Sequence, residues 1–134
     1  GGERDQATHQ IDEQILAQAP RVLVVDDEPD FRDLVRRTLS YCAVREAADG
    51  QQALTALEQE MVQVVVTDIR MPVMDGMELA KNLLRLYPAL SIVGVSGFVG
   101  PDEVEEATFG GFMSKPIAVT DFRALIEVAL DNSS

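Results

Sequence analysis

The sequence predicts an α/β domain in which a parallel β-sheet carries helices on both faces. Short continuous apolar runs alternate with segments whose apolar residues recur at helical spacing, as repeated β-loop-α units require. Acidic or other polar residues follow several of these runs directly, at the points where strands would end. The length of 134 residues and the hydrophobic content of 46% fit one globular domain with a single sizeable core.

The predicted domain covers residues 20–131, and short polar segments precede and follow it. Residues 1–19 carry no core pattern beyond a few apolar positions, of which Ile11 and Ile15 stand at helical spacing. We expect this segment to be a tail or an amphipathic linker helix. Residues 132–134 are expected to be a C-terminal tail.

The first predicted unit begins at Arg21, where the polar sequence changes to the run RVLVV. Such a continuous apolar run is typical of a strand buried on both faces, and it ends at Asp26 and Asp27. Pro29 is placed to open a helix, because proline suits the first helical turn. The apolar stripe of this helix consists of Phe31, Leu34, Val35, Thr38 and Leu39.

Four further units are predicted in the same alternation. The predicted strands cover residues 42–47, 64–68, 90–95 and 111–113. The predicted helices follow Gly50, run from Gly76 to about Tyr87, occupy an acidic stretch around 102–109 and cover 119–130. Five strands and five helices in strict alternation imply right-handed crossovers, which place helices on both sides of a parallel sheet.

The stretch VVVTDIRMPVMDG, residues 64–76, organises the rest of the chain. Its apolar and β-branched start predicts a buried strand that ends by presenting Asp68 at the sheet edge. Pro72 and Gly76 then keep the following loop irregular. A single carboxylate delivered in this way is a candidate acceptor of a phosphoryl group.

Five polar residues stand at predicted strand ends and should therefore meet at one edge of the sheet. They are Asp26, Asp27, Asp68, Ser96 and Lys115. Three neighbouring carboxylates repel one another, which raises the pKa of at least one of them unless a cation lies between them. Oxygen ligands and chemistry at phosphate favour Mg²⁺ as that cation. The set therefore predicts a magnesium-dependent phosphoryl site.

Each of these signals also has an ordinary structural explanation. An Asp-Asp pair after a strand commonly starts a helix, and Asp68 before a loop with proline and glycine is a common turn residue. Ser96 alone and a Lys115-Pro116 pair are typical of loops. The combination is what favours phosphoryl chemistry, because four separate strand ends each carry a group that such chemistry needs.

Charge and composition exclude several other classes of function. The net charge of −12, from 23 acidic and 11 basic residues, would repel nucleic-acid phosphates and anionic membranes. Cys42 is the single cysteine, which rules out an intrachain disulfide, and it is expected to be an inert buried thiol. Neither an apolar run of membrane-spanning length nor a signal-peptide pattern is visible, so a cytoplasmic location is expected.

The segments VLVVDDEPD, VVVTDIRMPVMDGMEL, VSG and FMSKPI together resemble the receiver domain of two-component response regulators. The resemblance covers about residues 20–131. It implies a flavodoxin-like doubly wound (βα)5 fold with strand order 2-1-3-4-5. It also implies that a histidine kinase or phosphotransfer protein phosphorylates an aspartate, and that the phosphoprotein then switches a protein-interaction surface in signal transduction.

The resemblance assigns the acceptor and metal positions. Asp68 matches the phosphoacceptor of the family, and Asp27 matches a direct Mg²⁺ ligand. Asp26 matches an acid that acts largely through metal-bound water. The backbone carbonyl of Arg70 would complete the protein ligands to the ion.

The resemblance also implies how the phosphoryl group is sensed. Ser96 matches the switch hydroxyl and Lys115 the phosphate-sensing amine, and the peptide bond before Pro116 is often cis in the family. Phe112 stands where many members have a switch tyrosine, and a plain core aromatic on a short strand is the alternative. The interval from Ser96 to Lys115 is a few residues shorter than the family pattern, which implies a shortened fourth helix near the output surface.

Two other functions fit parts of the same pattern. A pseudo-receiver would keep the fold as an interaction module without phosphorylation, although the complete residue set argues against it. A phosphohydrolase with an aspartyl-phosphate intermediate usually has a second acid two residues after the nucleophile, where this chain has Arg70. We therefore expect a signalling acceptor and not an enzyme, either free-standing or part of a hybrid kinase. Its downstream partner and phosphorylation-dependent dimerisation stay open.

Overall fold

The structure is a computed structural model that describes residues 19–71, 74–97 and 109–132. These ranges contain five strands and four helices. The strands are β1 (Arg21–Val25), β2 (Ala43–Ala47), β3 (Val64–Asp68), β4 (Ser91–Ser96) and β5 (Gly111–Ser114). The helices are α1 (Pro29–Thr38), α2 (Gly50–Gln59), α3 (Gly76–Leu86) and α4 (Val119–Asn132). None of these four helices has the length and hydropathy that a membrane-spanning helix needs.

The strands form one parallel sheet in the order β2-β1-β3-β4-β5, which confirms the predicted doubly wound fold. β3 lies at the centre, and every one of its residues is buried. Its last residue, Asp68, pairs in register with Val95 of β4, and Ser96 pairs with Ser114 of β5. The polar strand ends are therefore aligned side by side at the carboxyl edge of the sheet.

Two hydrophobic cores lie on the opposite faces of this sheet. Leu23 and Val25 of β1 belong to the core under α2 and α3. Val22 and Val24 belong to the core under α1 and α4, where Phe122 is fully buried. Because alternate residues of β1 are buried in different cores, this strand is apolar at nearly every position rather than at every second one.

Helices α2 and α3 begin at aspartate N-caps on the carboxyl edge of the sheet. Asp49 Oδ1 accepts a hydrogen bond from the Gln52 N–H at 2.8 Å, and Asp75 Oδ1 accepts one from the Glu78 N–H at 2.8 Å. Each cap satisfies an amide that the first helical turn leaves unpaired. α1 instead starts at Pro29, as predicted, and has no side-chain cap.

Some observed boundaries differ from the predicted ones. β2 begins at Ala43, one residue after its predicted start. α4 continues to Asn132, which was predicted to belong to the C-terminal tail. Asp131 and Asn132 are polar and add nothing to an apolar stripe, so only the backbone shows that they are helical. Residues 102–108 of the predicted helix around 102–109, nearly all of the predicted N-terminal segment and Pro72 lie outside the described residues. Phe109, at the predicted end of that helix, is described and is not helical.

Cys42 follows α1 and packs half-buried against the core under α1 and α4. It is therefore less enclosed than the buried thiol that the sequence predicts. Burial still raises the pKa of this thiol to about 11. The group is thus protonated, and unreactive as a nucleophile, near neutral pH.

Gly76 is the residue at which α3 begins against the carboxyl end of β3. A Cβ placed there would lie against the carbonyl oxygen of Asp68 and 2.7 Å from the Ile69 Cα. The Gly76 N–H also donates a hydrogen bond to the Ile69 carbonyl at 2.7 Å. Only glycine therefore allows the helix to approach the strand end this closely.

We expect the Cys42 thiol to react slowly with iodoacetamide at about pH 8, because the thiolate is the nucleophile. The rate constant should be about tenfold or more below that of the chain unfolded in guanidinium chloride. It should rise as the pH passes from the ordinary thiol pKa of 9.0 towards about 11. Mass spectrometry of the single alkylation site measures both rates, and equal rates for the folded and unfolded chains would contradict the prediction.

Replacing Gly76 by alanine should push α3 away from β3 and lower the free energy of unfolding by about 1 to 3 kcal/mol, the usual cost of overpacking. Gly110→Ala is the matched control, because its new Cβ would lie 3.6 Å from the nearest atom, the Ile92 carbonyl oxygen. Urea denaturation of both variants tests the expectation. Equal free energies of unfolding for Gly76→Ala and Gly110→Ala would contradict the expected overpacking.

Candidate functional site

The carboxyl edge of the sheet forms a crevice of about 260 Å³. It is lined by Asp27, Glu28, Asp68, Arg70, Ser96, Gly97 and Lys115. Asp26 joins this group through its hydrogen bond with Lys115. The structure therefore brings together all five residues that the sequence places at strand ends.

Asp68 ends the central strand β3 and is 7% exposed. Its Oδ1 accepts a hydrogen bond from the Arg70 N–H at 3.1 Å, and its Oδ2 accepts one from Lys115 Nζ at 3.2 Å. These two contacts orient the carboxylate while the residue lines the crevice. A carboxylate held in this way can act as a nucleophile without the help of a general base.

Asp26 is fully buried at the end of β1. Its Oδ1 accepts a hydrogen bond from the Glu28 N–H at 2.8 Å, and its Oδ2 accepts one from Lys115 Nζ at 2.7 Å. Its own backbone N–H donates to the Ala47 carbonyl at 3.0 Å. Asp26 does not line the crevice, and its short contact with Lys115 anchors the lysine beside it.

Lys115 follows β5 directly. Its backbone N–H donates to the Ser96 carbonyl at 2.8 Å, which extends the pairing of β4 with β5 by one residue. The peptide bond between Lys115 and Pro116 is cis, as the resemblance implies. From this fixed backbone the side chain, 15% exposed, reaches the ends of β1 and β3.

Burial and charge act in opposite directions on this ion pair. Burial raises the pKa of the Asp26 carboxyl, and the hydrogen bonds from Lys115 and the Glu28 N–H reduce this rise without cancelling it. The charge of Asp68 adds a smaller increase to the same pKa. For Lys115, burial alone would lower the pKa, but the hydrogen bonds and charges of Asp26 and Asp68 raise it above its ordinary value. The predicted repulsion among the acids is therefore secondary to burial, and Lys115 is a cation placed between two of them.

Arg32 of α1 supports the end of β1, although the sequence did not distinguish it. Its Nη1 donates to the Asp26 carbonyl at 2.6 Å, and its Nε donates to Glu46 Oε1 at 3.2 Å. The guanidinium therefore ties the acidic loop to β2. In the sequence Arg32 shares the polar face of the helix with Arg36 and Arg37, so no local signal separates it from them.

The acids that follow β1 are the part of the site best suited to a divalent cation. Among the described residues, Asp26, Asp27 and Glu28 place ligand oxygens within 4.8 Å of one another. Asp27 and Glu28 are exposed and line the crevice beside Asp68. Carboxylate oxygens are the hard donors that Mg²⁺ prefers, so this donor set fits that ion. Glu28 is missing from the predicted set, although the run DDE contained the signal.

The two predicted switch residues differ in burial. Ser96 is 3% exposed at the end of β4 and lines the crevice with Asp68. Phe112 of β5 is 36% exposed, so the alternative of a buried core aromatic is wrong. It pairs with Gly94, where a Cβ would come within 3.2 Å of its ring. The predicted shortening before β5 falls in residues 98–108, outside the described residues.

A family model and a solved structure both match most of this chain. The model of the response regulator receiver domain matches residues 22–127. The receiver domain of NtrX from Brucella abortus superposes with a TM-score of 0.77 at 32% sequence identity. That superposition covers 82% of this chain and 98% of the NtrX domain.

Two curated relatives show the domain within longer proteins. The C4-dicarboxylate transport transcriptional regulatory protein DctD of Rhizobium meliloti (strain 1021) is 33% identical over 108 residues, which are 77% of this chain. The autoinducer 1 sensor kinase/phosphatase LuxN of Vibrio campbellii is 31% identical over 117 residues, which are 84% of this chain. The matched region is 24% of DctD and 14% of LuxN, so this chain spans a quarter or less of either relative.

Replacing Lys115 by methionine should leave the buried Asp26 carboxylate without its cation and lower the free energy of unfolding by roughly 3 to 5 kcal/mol near neutral pH. The lysine holds the pKa of Asp26 down, so its loss raises that pKa further. A carboxyl whose pKa is raised in the folded state stabilises the fold at low pH and loses that contribution as the pH rises. The free energies of unfolding of parent and variant should therefore differ less at about pH 5 than at about pH 7.5. Urea denaturation at the two pH values measures this difference.

Lys81→Met on α3 is the matched control, because Lys81 is exposed. It should change the free energy of unfolding by less than about 0.5 kcal/mol at both pH values. The expected role of the ion pair would be refuted if Lys115→Met lowered the free energy of unfolding equally at both pH values, or by no more than the control does.

Proposed function

Because this chain belongs to the response regulator receiver domain family, we propose that Asp68 accepts a phosphoryl group from the phosphohistidine of a partner protein. The observation that carries this proposal is the geometry of the crevice, where Lys115 Nζ lies 3.2 Å from Asp68 Oδ2. Receiver domains act in two-component signal transduction and interact with kinases and downstream effectors. A histidine kinase or a histidine phosphotransfer protein is therefore the donor that we propose.

The proposed transfer exchanges one bond to phosphorus for another. A carboxylate oxygen of Asp68 attacks the phosphorus, while the bond from phosphorus to the partner's histidine nitrogen breaks and its electron pair returns to the imidazole. Lys115 supplies positive charge beside the oxygens that carry the negative charge in the transition state. Ser96 would then donate its hydroxyl hydrogen to a phosphoryl oxygen. Positioning and charge neutralisation are thus the main demands on the site.

The donor set at this edge also supports Mg²⁺ as the cofactor. Asp27, Asp68 and the backbone carbonyl of Arg70 would hold the ion directly. Asp26 would act through a water molecule, since it is fully buried and does not line the crevice as Asp27 and Asp68 do. Glu28 adds a further oxygen donor beside them. When bound, Mg²⁺ neutralises negative charge on the phosphoryl group and on the surrounding acids.

We infer that phosphorylation changes a protein-interaction surface of this chain. In this proposal the chain is a phosphoacceptor and not an enzyme that turns over a substrate. The acyl phosphate adds negative charge and new acceptor oxygens, which Lys115 and Ser96 can bind only in that state. Ser96 pairs with Ser114 on β5, the strand that also carries the exposed Phe112. This strand is the proposed relay to a downstream protein. The cytoplasmic location stays a prediction.

Incubation with acetyl phosphate and Mg²⁺ should add one phosphoryl group, which intact-mass spectrometry detects. Asp68→Ala should abolish the addition, because it removes the attacking oxygen. Asp131→Ala, which removes an exposed carboxylate near the end of α4, is the matched control and should still be phosphorylated. Chelation of Mg²⁺ should slow the reaction by about tenfold or more, because the charge on the phosphoryl group would no longer be neutralised.

Failure of the parent chain to gain mass would favour the alternative, a pseudo-receiver that keeps the fold as an interaction module. A gain in mass that persists in Asp68→Ala would place the acceptor elsewhere. Sustained release of phosphate from added phosphate esters would instead indicate a phosphohydrolase. Each of these results would contradict the proposed role of Asp68.

A further inference from the structure

The Lys115 ammonium makes a third contact that the proposed transfer does not use. Its Nζ lies 4.3 Å from the centroid of the Phe31 ring. The same atom lies 2.7 Å from Asp26 Oδ2 and 3.2 Å from Asp68 Oδ2. A cation above an aromatic face is attracted by the quadrupole of the ring. Two carboxylates and one ring thus match the three N–H donors of the ammonium.

Phe31 is held firmly in place by the fold. It lies in the first turn of α1 and is 8% exposed. It belongs to the core under α1 and α4, together with Val35 and Leu39 of the same helix. The ring packs against this core beside Lys115, and it therefore limits where the ammonium can lie.

An aromatic ring suits this position better than other kinds of side chain. An aliphatic side chain would fill the space but would offer the ammonium nothing to bind on that side. A further acid would compete with Asp68 and hold the lysine away from it. A ring contact is weaker than a charged hydrogen bond, so the ammonium can shift towards phosphoryl oxygens at little cost.

We propose that Phe31 is a positioning residue that holds Lys115 beside Asp68 for phosphoryl transfer. The inference rests on the proposed function, because it concerns the lysine that neutralises the transferred group. Phe31 does not contact the phosphoryl group and acts through the ammonium. Its contribution therefore depends on the presence of both its own ring and Lys115.

The contact can be tested without any phosphorylation. Protons above an aromatic ring are shielded, so the CεH₂ resonances of Lys115 should lie upfield of those of exposed Lys81 in ¹H–¹³C NMR spectra. Lys115→Met assigns these resonances by their disappearance. Phe31→Leu should return them to the usual lysine region, whereas Phe31→Tyr should keep them upfield. Unshielded Lys115 resonances in the parent would overturn the proposal.

The positioning role is tested by the rate of Asp68 phosphorylation from acetyl phosphate at fixed Mg²⁺ concentration. Phe31→Leu should lower the rate about three- to tenfold, the size expected for a partly buried cation–π contact, and Phe31→Tyr should restore it. Phe122→Leu removes a buried ring from the same core and should leave the rate unchanged. In a Lys115→Met background, Phe31→Leu should have no further effect, because the group that it positions is gone.

Circular dichroism at the assay temperature verifies that each variant is folded. Equal phosphorylation rates for Phe31→Leu and the parent would overturn the proposal. So would an equal loss of rate when Phe31→Leu is added to Lys115→Met. In either case Phe31 would be a packing residue only. A parent that takes no phosphoryl group would instead overturn the proposed function, and with it the role of Phe31 in transfer. The shielded NMR resonances would still report the contact, so the two failures are distinguishable.

Discussion

The rest of the site depends on the two ion pairs that the Lys115 ammonium forms with Asp26 and Asp68. Asp26 is fully buried, and removing the cation from a buried ion pair commonly costs about 3 to 5 kcal/mol. Lys115 offsets that cost and links the ends of β1, β3 and β5, which come from distant parts of the chain. The acidic edge of the sheet is stable because one cation is shared between two of its carboxylates.

The same shared cation gives the site the means to respond to a phosphoryl group. In the free protein the ammonium binds carboxylates, and an acyl phosphate on Asp68 would offer more strongly charged oxygens at the same place. The groups around it are fixed, since Phe31 lies in a core and Arg32 is bonded to the Asp26 carbonyl. A lysine whose ammonium can exchange carboxylate oxygens for phosphoryl oxygens within this frame is the physical basis of the switch that we propose.

The fold is predictable because the sequence shows both continuous apolar runs, which predict buried strands, and helical spacing of apolar residues. Parallel strands then bring their carboxyl ends to one edge whatever residues they carry. This rule alone places Asp68 and Lys115 together. The end of α4 is less predictable, because Asn132 is polar and helix ends depend on backbone hydrogen bonds. The exposure of Phe112 depends on what packs over a strand of four residues, which is too short for its pattern to show.

By itself, the sequence determines the alternation of strands and helices, the convergence of the polar strand ends and the acidity of that edge, because these follow from local patterns and from the geometry of parallel sheets. The tertiary structure decides which groups bind one another within the edge. Both oxygens of Asp26 are occupied, while Phe31 and Arg32, ordinary helix residues in the sequence, contact the Lys115 ammonium and the Asp26 carbonyl. Such contacts depend on distances of a few ångströms between separate elements, and no local pattern of residues contains them.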